Sequence, residues 1–220
     1  MVVATKDYRN ADGCPELTDV QEKKAKLEKQ ICQEHPHQRI MYNAIKNRND
    51  KYFEMLASIY NHKCAYCGAR IGHTDIKLFE VDHFICESSY SKNTQGRIAA
   101  GRTSNLIFSC YSCNRGKSDF PISGKYRKLL NPDDGSIAKV FIRDDLYYIR
   151  VANTYSEDAS VQMFYKQLML GSETRRLDYL LLEMSNLAYV KKTEDPALAE
   201  KLEQCIGVLL QRKNNTARLV

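Results

Sequence analysis

Apolar residues near the amino terminus recur at helical spacing in a charged stretch. Val20, Leu27 and Ile31 fall on one side of it, and Thr18 and Asp19 supply capping side chains at its start. This pattern predicts an amphipathic helix that begins close to residue 20.

A proline separates this stretch from a second predicted helix. Pro36 has no backbone donor and disfavours helix at the residue before it. Beyond it, Phe53, Leu56, Ala57 and Tyr60 follow i, i+3, i+4, i+7 spacing, which predicts a helix with one buried stripe.

The middle of the chain changes to short apolar runs typical of strands. Residues 78–82 and 106–109 are the candidates. Residues 87–104 between them are polar and contain Gly96 and Gly101, which predicts a long loop. Loops of that length in compact domains tend to be functional or mobile.

The last part of the chain predicts a β-hairpin followed by helices. Residues 140–143 and 146–149 are apolar runs around a turn, and Ser172 and Pro196 begin two helices with apolar stripes. The predicted fold class is α+β. It comprises an N-terminal helical extension (1–61), a core of short strands, loops and a helix (62–128), and a C-terminal hairpin and helical region (129–220).

Composition places the chain among ordinary globular proteins. Hydrophobic residues make up 43% of the 220 and charged residues 27%. No apolar run approaches the roughly 18 residues that a membrane-spanning helix requires. The amino terminus lacks the basic and apolar parts of a secretion signal, so we expect a cytoplasmic protein without membrane partners.

Four of the eight cysteines form two C-x-x-C pairs. Cys64 and Cys67 are separated by 42 residues from Cys110 and Cys113. In a reducing compartment such pairs hold metal or perform redox chemistry, and two pairs together favour tetrahedral zinc. A shell of four sulfurs leaves no position for water, so the predicted zinc is structural. The other four cysteines are expected to be small buried apolar residues.

Positive charge is concentrated in one segment. The net charge of the chain is +6, whereas residues 91–128 alone carry +7 and the remainder carries −1. Clustered lysine and arginine favour a phosphate-binding face over a solvated surface, on which the signs of charge usually alternate.

Candidate chemistry lies between and after the cysteine pairs, at Asp82, His83, Asn105 and Asn114. A carboxylate can hold a hard cation, and a neutral imidazole can take a proton from water, so the first two suit metal-assisted hydrolysis. Both reach one phosphate only if the chain bends there, because neighbouring strand residues point to opposite faces. Each residue alone is more often a surface pair, a turn or a helix cap.

The joint order C-x-x-C, D-H, N, C-x-x-C-N-x-x-K resembles the HNH endonucleases, the zinc-knuckle branch of the ββα-metal family. Residues 114–117 are also similar to the HNH domain of RNA-guided CRISPR nucleases. The resemblance implies a ββα-metal core with structural zinc that hydrolyses phosphodiester bonds of nucleic acid, with DNA favoured over RNA.

The resemblance also implies individual roles. His83 matches the general base, and Asp82 matches a ligand of a single catalytic divalent cation. Asn105 matches the asparagine that braces the loop and orients the histidine. Asn114 stands where many members have a second histidine and would be the other ligand. Its amide oxygen predicts Mg²⁺ or Mn²⁺, with Zn²⁺ or Ni²⁺ as poor substitutes.

Charge and position make Arg115 and Lys117 candidate phosphate contacts. Arg97 and Arg102, in the same basic segment, are further candidates for binding nucleic acid.

The layout of the whole chain resembles the stand-alone HNH proteins of bacterial anti-phage systems, of the Septu and retron-associated type. That resemblance implies a partner ATPase, with the apolar stripes of the tail as docking surfaces. Two other classes of function remain open. One is a non-catalytic, zinc-stabilised nucleic-acid-binding module, and the other is a structural subunit whose helical flanks carry the function.

Overall fold

The computed structural model describes residues 6–12, 14–71 and 75–217. The first part of the chain forms three helices, α1 (Val20–Glu34), α2 (Met41–Ile45) and α3 (Lys51–Ile59). The middle part forms β1 (Phe79–His83), α4 (Thr94–Ala100), β2 (Leu106–Cys110) and α5 (Tyr111–Lys117). The last part forms α6 (Tyr126–Leu129), α7 (Ile137–Val140), β3 (Phe141–Arg143), β4 (Ile149–Val151), α8 (Ala159–Gln167), α9 (Glu173–Glu194) and α10 (Pro196–Ala217).

The centre of the fold is a β-β-α unit. Strands β1 and β2 pair antiparallel, with Phe79 opposite Cys110 and His83 opposite Leu106, and α5 follows β2 without a connecting loop. Both strands lie where the apolar runs predicted them, within one residue at each end. The predicted α+β class with a ββα core is confirmed.

The amino-terminal helices match the predicted pattern. Helix α1 ends two residues before Pro36, and α3 carries the predicted stripe, of which Phe53, Leu56 and Ala57 are buried. The Asp50 side chain begins α3 by accepting a hydrogen bond from the backbone N–H of Tyr52 at 3.1 Å. Helices α1 and α3 pack against each other, and the ring of Phe53 in α3 meets the ring of Phe108 in β2 edge to face, with centroids 5.6 Å apart.

The prediction of one long loop over residues 87–104 is wrong, because α4 forms inside it. The Asn93 side chain caps this helix by accepting from the N–H of Gly96 at 2.9 Å. A Cβ at Gly96 would lie 1.9 Å from the carbonyl oxygen of Ser91. The glycine that appeared to mark a loop is therefore required by the close approach of the chain to its own first helical turn.

The predicted hairpin forms, but its second strand begins later than predicted, at Ile149 instead of residue 146. The Asp144 side chain accepts from the N–H groups of Leu146 and Tyr148, at 3.0 and 2.9 Å. These bonds stabilise a wider connection in which Tyr147 adopts φ +67°.

The two long C-terminal helices, α9 and α10, pack against each other. Leu177 and Leu181 of the predicted stripe in α9 are buried, whereas Leu187 is 45% exposed. The stripe is therefore core in the first half of α9 only. No described helix carries an apolar stretch sufficient to cross a bilayer.

One hydrophobic core includes residues from all three predicted parts of the chain, from Tyr8 to Leu170. Near its edge lies a buried ionic group. The Lys24 ammonium lies 2.6 Å from Asp133, and the hydroxyl of Tyr60 donates to the other oxygen of the same carboxylate at 2.6 Å. Burial lowers the pKa of Lys24 although Asp133 opposes the shift. This group joins α1 and α3 to the segment between α6 and α7.

Replacement of Asp133 by alanine is expected to lower the free energy of unfolding by about 3–5 kcal/mol, because it leaves a buried ammonium without its carboxylate. Urea unfolding monitored by circular dichroism measures the change. The neighbouring Asp134→Ala variant is the control. Asp134 is exposed and accepts one hydrogen bond, from the N–H of Ser136. Equal losses in the two variants would contradict a stabilising role for the buried pair.

Candidate active site

The four cysteines of the two C-x-x-C pairs meet in one buried cluster. Their sulfur atoms all lie within 4.8 Å of one another, in an arrangement that could hold a metal ion. Cys64 and Cys67 lie in the connection between α3 and β1, Cys110 ends β2, and Cys113 lies in α5. The cluster therefore joins this connection to the β-β-α unit.

The amino-terminal segment holds the first cysteine pair in place. The buried guanidinium of Arg9 donates to the carbonyl oxygen of Ala65 at 2.8 Å, and the hydroxyl of Tyr8 donates to the carbonyl oxygen of Tyr66. Gly68 adopts φ +78°, and a Cβ there would lie 2.6 Å from the carbonyl oxygen of Arg9. Nothing in the C-x-x-C pattern indicated this support.

The prediction that the remaining cysteines are buried holds for Cys86 alone. Cys14 is half-buried, and Cys32 and Cys205 are exposed on α1 and α10. Both helices are amphipathic surface elements, and these two cysteines lie outside their packed faces.

Helix α5 lies across β1 so that two pairs of side chains meet. The amide of Asn114 donates to Glu80 at 2.6 Å, and the ammonium of Lys117 lies 3.2 Å from Asp82. Residues i and i+3 share one helix face, and residues i and i+2 share one strand face, so the two repeats bring these pairs together. This contact places Asn114 beside the strand that carries Asp82 and His83.

Asp82, His83 and Asn114 line one cavity of about 360 Å³. The strand continues through His83, so the predicted bend at the Asp-His pair does not occur. Both residues line the cavity nonetheless, together with Glu80 and Val81 of the same strand. Its other lining residues are Tyr42, Lys46, Arg48, Glu80, Val81 and Arg115.

The carboxylate of Asp82 is almost completely buried, at 5% exposure. One oxygen accepts from the hydroxyl of Tyr66 at 2.7 Å, and the other faces Lys117. Burial raises the pKa of Asp82 to about 6, although Lys117 and Tyr66 oppose the shift. A cation in the cavity would offset this cost of burial by stabilising the charged form.

The imidazole of His83 is half-buried and packs against the ring of Tyr42, with ring centroids 4.5 Å apart. Burial lowers the pKa of His83, an effect that Glu87 opposes. The side chain is therefore neutral at neutral pH, as a group that accepts a proton must be.

Asn105 braces the turn that follows His83. Its side-chain oxygen accepts from the N–H of Ile85 at 2.9 Å, and its amide donates to the carbonyl oxygens of Ile85 and Ala100 at 3.0 and 2.8 Å. These contacts meet the geometric requirement of the predicted bracing role. The effect of this brace on catalysis stays a prediction.

The structure does not favour Lys117 as a phosphate contact. Its side chain is 1% exposed, and its ammonium donates to the carbonyl oxygen of His83 at 2.9 Å while facing Asp82. Position in the basic segment did not indicate this burial. Arg97, Arg102 and Arg115 are exposed, as binding of nucleic acid requires.

Several residues that the structure brings to the cavity have no assigned role in the motif, among them Glu80, Arg48 and Tyr42. Glu80 accepts from Asn114 and also lies 3.2 Å from the guanidinium of Arg115 and 3.6 Å from that of Arg48. The position of Glu80, two residues before Asp82 on a strand, is a signal that could have predicted it. Arg48 and Tyr42 come from the α2 region, which the sequence does not link to the motif.

The side-chain oxygen atoms at the cavity are suitable ligands for a hard divalent cation. They are the carboxylate of Asp82 and the amide of Asn114, with the carboxylate of Glu80 beside them. Oxygen donors of this type suit Mg²⁺ or Mn²⁺.

Replacement of Asn105 by alanine is expected to lower the free energy of unfolding by about 2–3 kcal/mol, because it leaves buried backbone groups without partners. The amide of Ile85 should also exchange faster with deuterium. Urea unfolding and hydrogen exchange measure the two effects. Asn43→Ala, an exposed position on α2, serves as the control. Unchanged protection of the Ile85 amide would contradict the bracing contact.

Comparison with known proteins agrees with this geometry. Residues 64–120, about a quarter of the chain, match the family model described as HNH endonuclease. The chain is also 32% identical over 90 residues to the SPbeta prophage-derived protein YoqL of Bacillus subtilis (strain 168), itself provisionally named an HNH endonuclease. The aligned part covers 40% of this chain and 38% of that protein. No solved structure matches the chain at a significant level. Residues 64–120, which contain the cysteine cluster, the paired strands and the side chains of Asp82, His83 and Asn114, are therefore similar to an HNH endonuclease domain.

Proposed function

We propose that this chain is a metal-dependent endonuclease that hydrolyses phosphodiester bonds of nucleic acid. His83 is the general base, and Asp82 and Asn114 hold one divalent cation, Mg²⁺ or Mn²⁺. The observation that carries the proposal is that these three side chains line one cavity and all belong to the segment that matches the HNH endonuclease family. Each component alone would be unremarkable, but a carboxylate, an imidazole and an amide around a polar cavity suit phosphoryl hydrolysis.

In this proposal the neutral imidazole of His83 takes a proton from a water molecule as its oxygen attacks phosphorus. The ester bond on the opposite side of the phosphorus breaks, and the departing oxygen takes a proton from solvent. The bound cation supplies charge stabilisation at the phosphate. Packing against Tyr42 and the brace from Asn105 hold His83 in one orientation.

Arginines at the rim of the cavity supply the proposed phosphate contacts. Arg115 and Arg48 are both exposed, and both guanidinium groups lie near Glu80 at the cavity. Arginine matches the geometry of a phosphate through paired hydrogen bonds. Arg97 and Arg102 lie in the same basic segment and would extend the contact along the nucleic acid. Clustered positive charge serves DNA and RNA alike, and we favour DNA as substrate.

The proposal includes a structural zinc ion held by Cys64, Cys67, Cys110 and Cys113. Four sulfur atoms within 4.8 Å of one another suit a tetrahedral ion of this size. Such an ion would fix the connection before β1 to α5, and hence fix Asn114 relative to Asp82.

The proposal extends to a role as the nuclease component of a bacterial anti-phage complex with a partner ATPase. Its support is the layout of the chain and the set of exposed apolar side chains on the last two helices, which include Leu187, Tyr189 and Val208. Purification of the chain from its natural host without an accompanying ATPase would count against this part.

Replacement of His83 by alanine is expected to reduce the cleavage rate about 10²–10⁴-fold, because the variant has no general base. Plasmid, single-stranded DNA and tRNA are each incubated with protein in Mg²⁺, Mn²⁺, Ni²⁺ or Zn²⁺, or with chelator. Cleavage is expected in the first two metals and absent with chelator.

The control for this assay is His62→Ala. The His62 imidazole lies 2.6 Å from Glu54 on the surface, outside the cavity, and this variant should keep the wild-type rate. Binding of nucleic acid by folded wild-type protein without cleavage in any metal would favour the non-catalytic binding module instead. Strong activity in Ni²⁺ alone would contradict the role of Asn114.

Replacement of Arg115 by glutamine is expected to weaken binding of DNA and to reduce the slope of log affinity against log salt by about 1, as expected for one lost phosphate contact. Titrations between low and moderate salt use the His83→Ala background in Mg²⁺, which prevents cleavage. Lys139→Gln, an exposed position outside the basic segment, removes the same charge as a control. An equal change of slope in both variants would indicate a nonspecific effect of net charge.

A further inference from the structure

A buried arginine from outside the HNH domain contacts the cysteine cluster. Arg175 lies near the start of α9, and its side chain is almost completely enclosed, at 6% exposure. One terminal nitrogen of its guanidinium lies 3.3 Å from the sulfur of Cys113. Among the described residues, this is the hydrogen bond that the Arg175 side chain forms.

A buried guanidinium requires an anion nearby, because removal of an unpaired charge from water is costly and arginine does not lose its proton in proteins. Within the described part of the chain, Arg175 forms no ion pair with a carboxylate. The acceptor that it does have is a cysteine sulfur. A neutral thiol accepts hydrogen bonds weakly, whereas a thiolate provides the missing charge.

A buried metal centre of negative net charge likewise requires a positive charge nearby. Four thiolates around one divalent cation carry a net charge of −2, and this cluster is completely buried. A guanidinium at hydrogen-bond distance from one sulfur offsets part of that charge. The buried guanidinium and the buried anionic centre therefore offset each other's charge.

The adjacent arginine has a different role. Arg176 donates to the carbonyl oxygen of Leu146 at 2.7 Å and pairs with Glu173 at 3.2 Å, both away from the cluster. The two neighbours are therefore a matched pair on one helix, of which Arg175 alone contacts sulfur.

We propose that Arg175 is the charge-compensating residue of the four-cysteine metal centre, so that occupancy of the centre fixes the first half of α9 against the HNH domain. This inference rests on the zinc site of the proposed function and is independent of its hydrolytic chemistry. Coupling of this kind is reciprocal. Zinc stabilises the docked position of α9, and the docked guanidinium slows loss of zinc.

The test uses the full-length chain loaded with zinc. Arg175→Met keeps most of the side-chain volume and removes the charge, Arg175→Lys keeps the charge without the planar fork, and Arg176→Met is the matched control. Zinc content is measured first, and then the rate of zinc transfer to a chromogenic chelator. We expect Arg175→Met to release zinc about tenfold faster or more, since hydrogen bonds to charged groups are the strong ones. Arg175→Lys should be intermediate, and Arg176→Met should match the wild type.

A spectroscopic measurement separates charge compensation from simple packing. With Co²⁺ in place of zinc, loss of a positive charge beside a thiolate should shift the sulfur-to-cobalt charge-transfer band to lower energy. Arg175→Met should show this shift, and Arg176→Met should not. If Arg175→Met does not fold, Arg175→Gln decides by the same band, because it also removes the positive charge while it leaves a polar side chain.

Hydrogen exchange of the wild type tests the reciprocal effect. Removal of zinc should increase deuterium uptake in residues 173–183 of α9 more than in the second half of that helix. The inference is overturned if zinc-loaded Arg175→Met releases zinc at the wild-type rate, or if the cobalt band of the uncharged variant is unshifted. Absence of zinc from the purified wild type would instead refute the zinc site itself. Loss of nuclease activity alone would bear on neither.

Discussion

The structure depends on the contact of one short helix with one short strand. Helix α5 has seven residues and β1 has five, yet Asn114 and Lys117 meet Glu80 and Asp82 in register. The two contacting residues of the helix are three positions apart, and those of the strand are two positions apart. Both pairs can meet only if helix and strand keep one rotation relative to each other. A metal ion held by the buried cysteine cluster would fix that rotation, because Cys110 and Cys113 lie at the junction of β2 and α5. The spacing of the cysteines would therefore also determine the geometry of the cavity.

Sequence patterns predicted the parts of this site that depend on local spacing. The cysteine pairs and both strands are short-range signals, and both lie where they were expected, whereas the Asp-His pair lines the cavity without the predicted bend. Helix α4 was missed because its glycine serves a close backbone approach and not a turn. Support from distant segments was also not predictable. Tyr42 reaches His83 from α2, and no regularity in either segment relates the two.

Charge is the property that sequence position described least well. Lys117 lies among seven other basic residues that are exposed, yet its ammonium is buried against Asp82. Lys24 is likewise buried beside a carboxylate, and Arg175 is buried beside a cysteine sulfur. Buried cations of this type require specific acceptors, and those acceptors come from elements far away along the chain. A concentration of positive charge in the sequence predicts a basic surface. Which basic side chains are exposed on that surface depends on which of them form buried ion pairs.

The support of the first cysteine pair by Arg9 limits how this protein can be divided. The Arg9 guanidinium donates to the carbonyl oxygen of Ala65 and, at 2.8 Å, to that of Pro132. Residues 64–120 contain neither the donor nor the second acceptor. Excision of that segment would expose carbonyl groups and apolar side chains that the flanks now cover. The smallest part of the chain that we expect to fold on its own is consequently larger than the segment that matches the family.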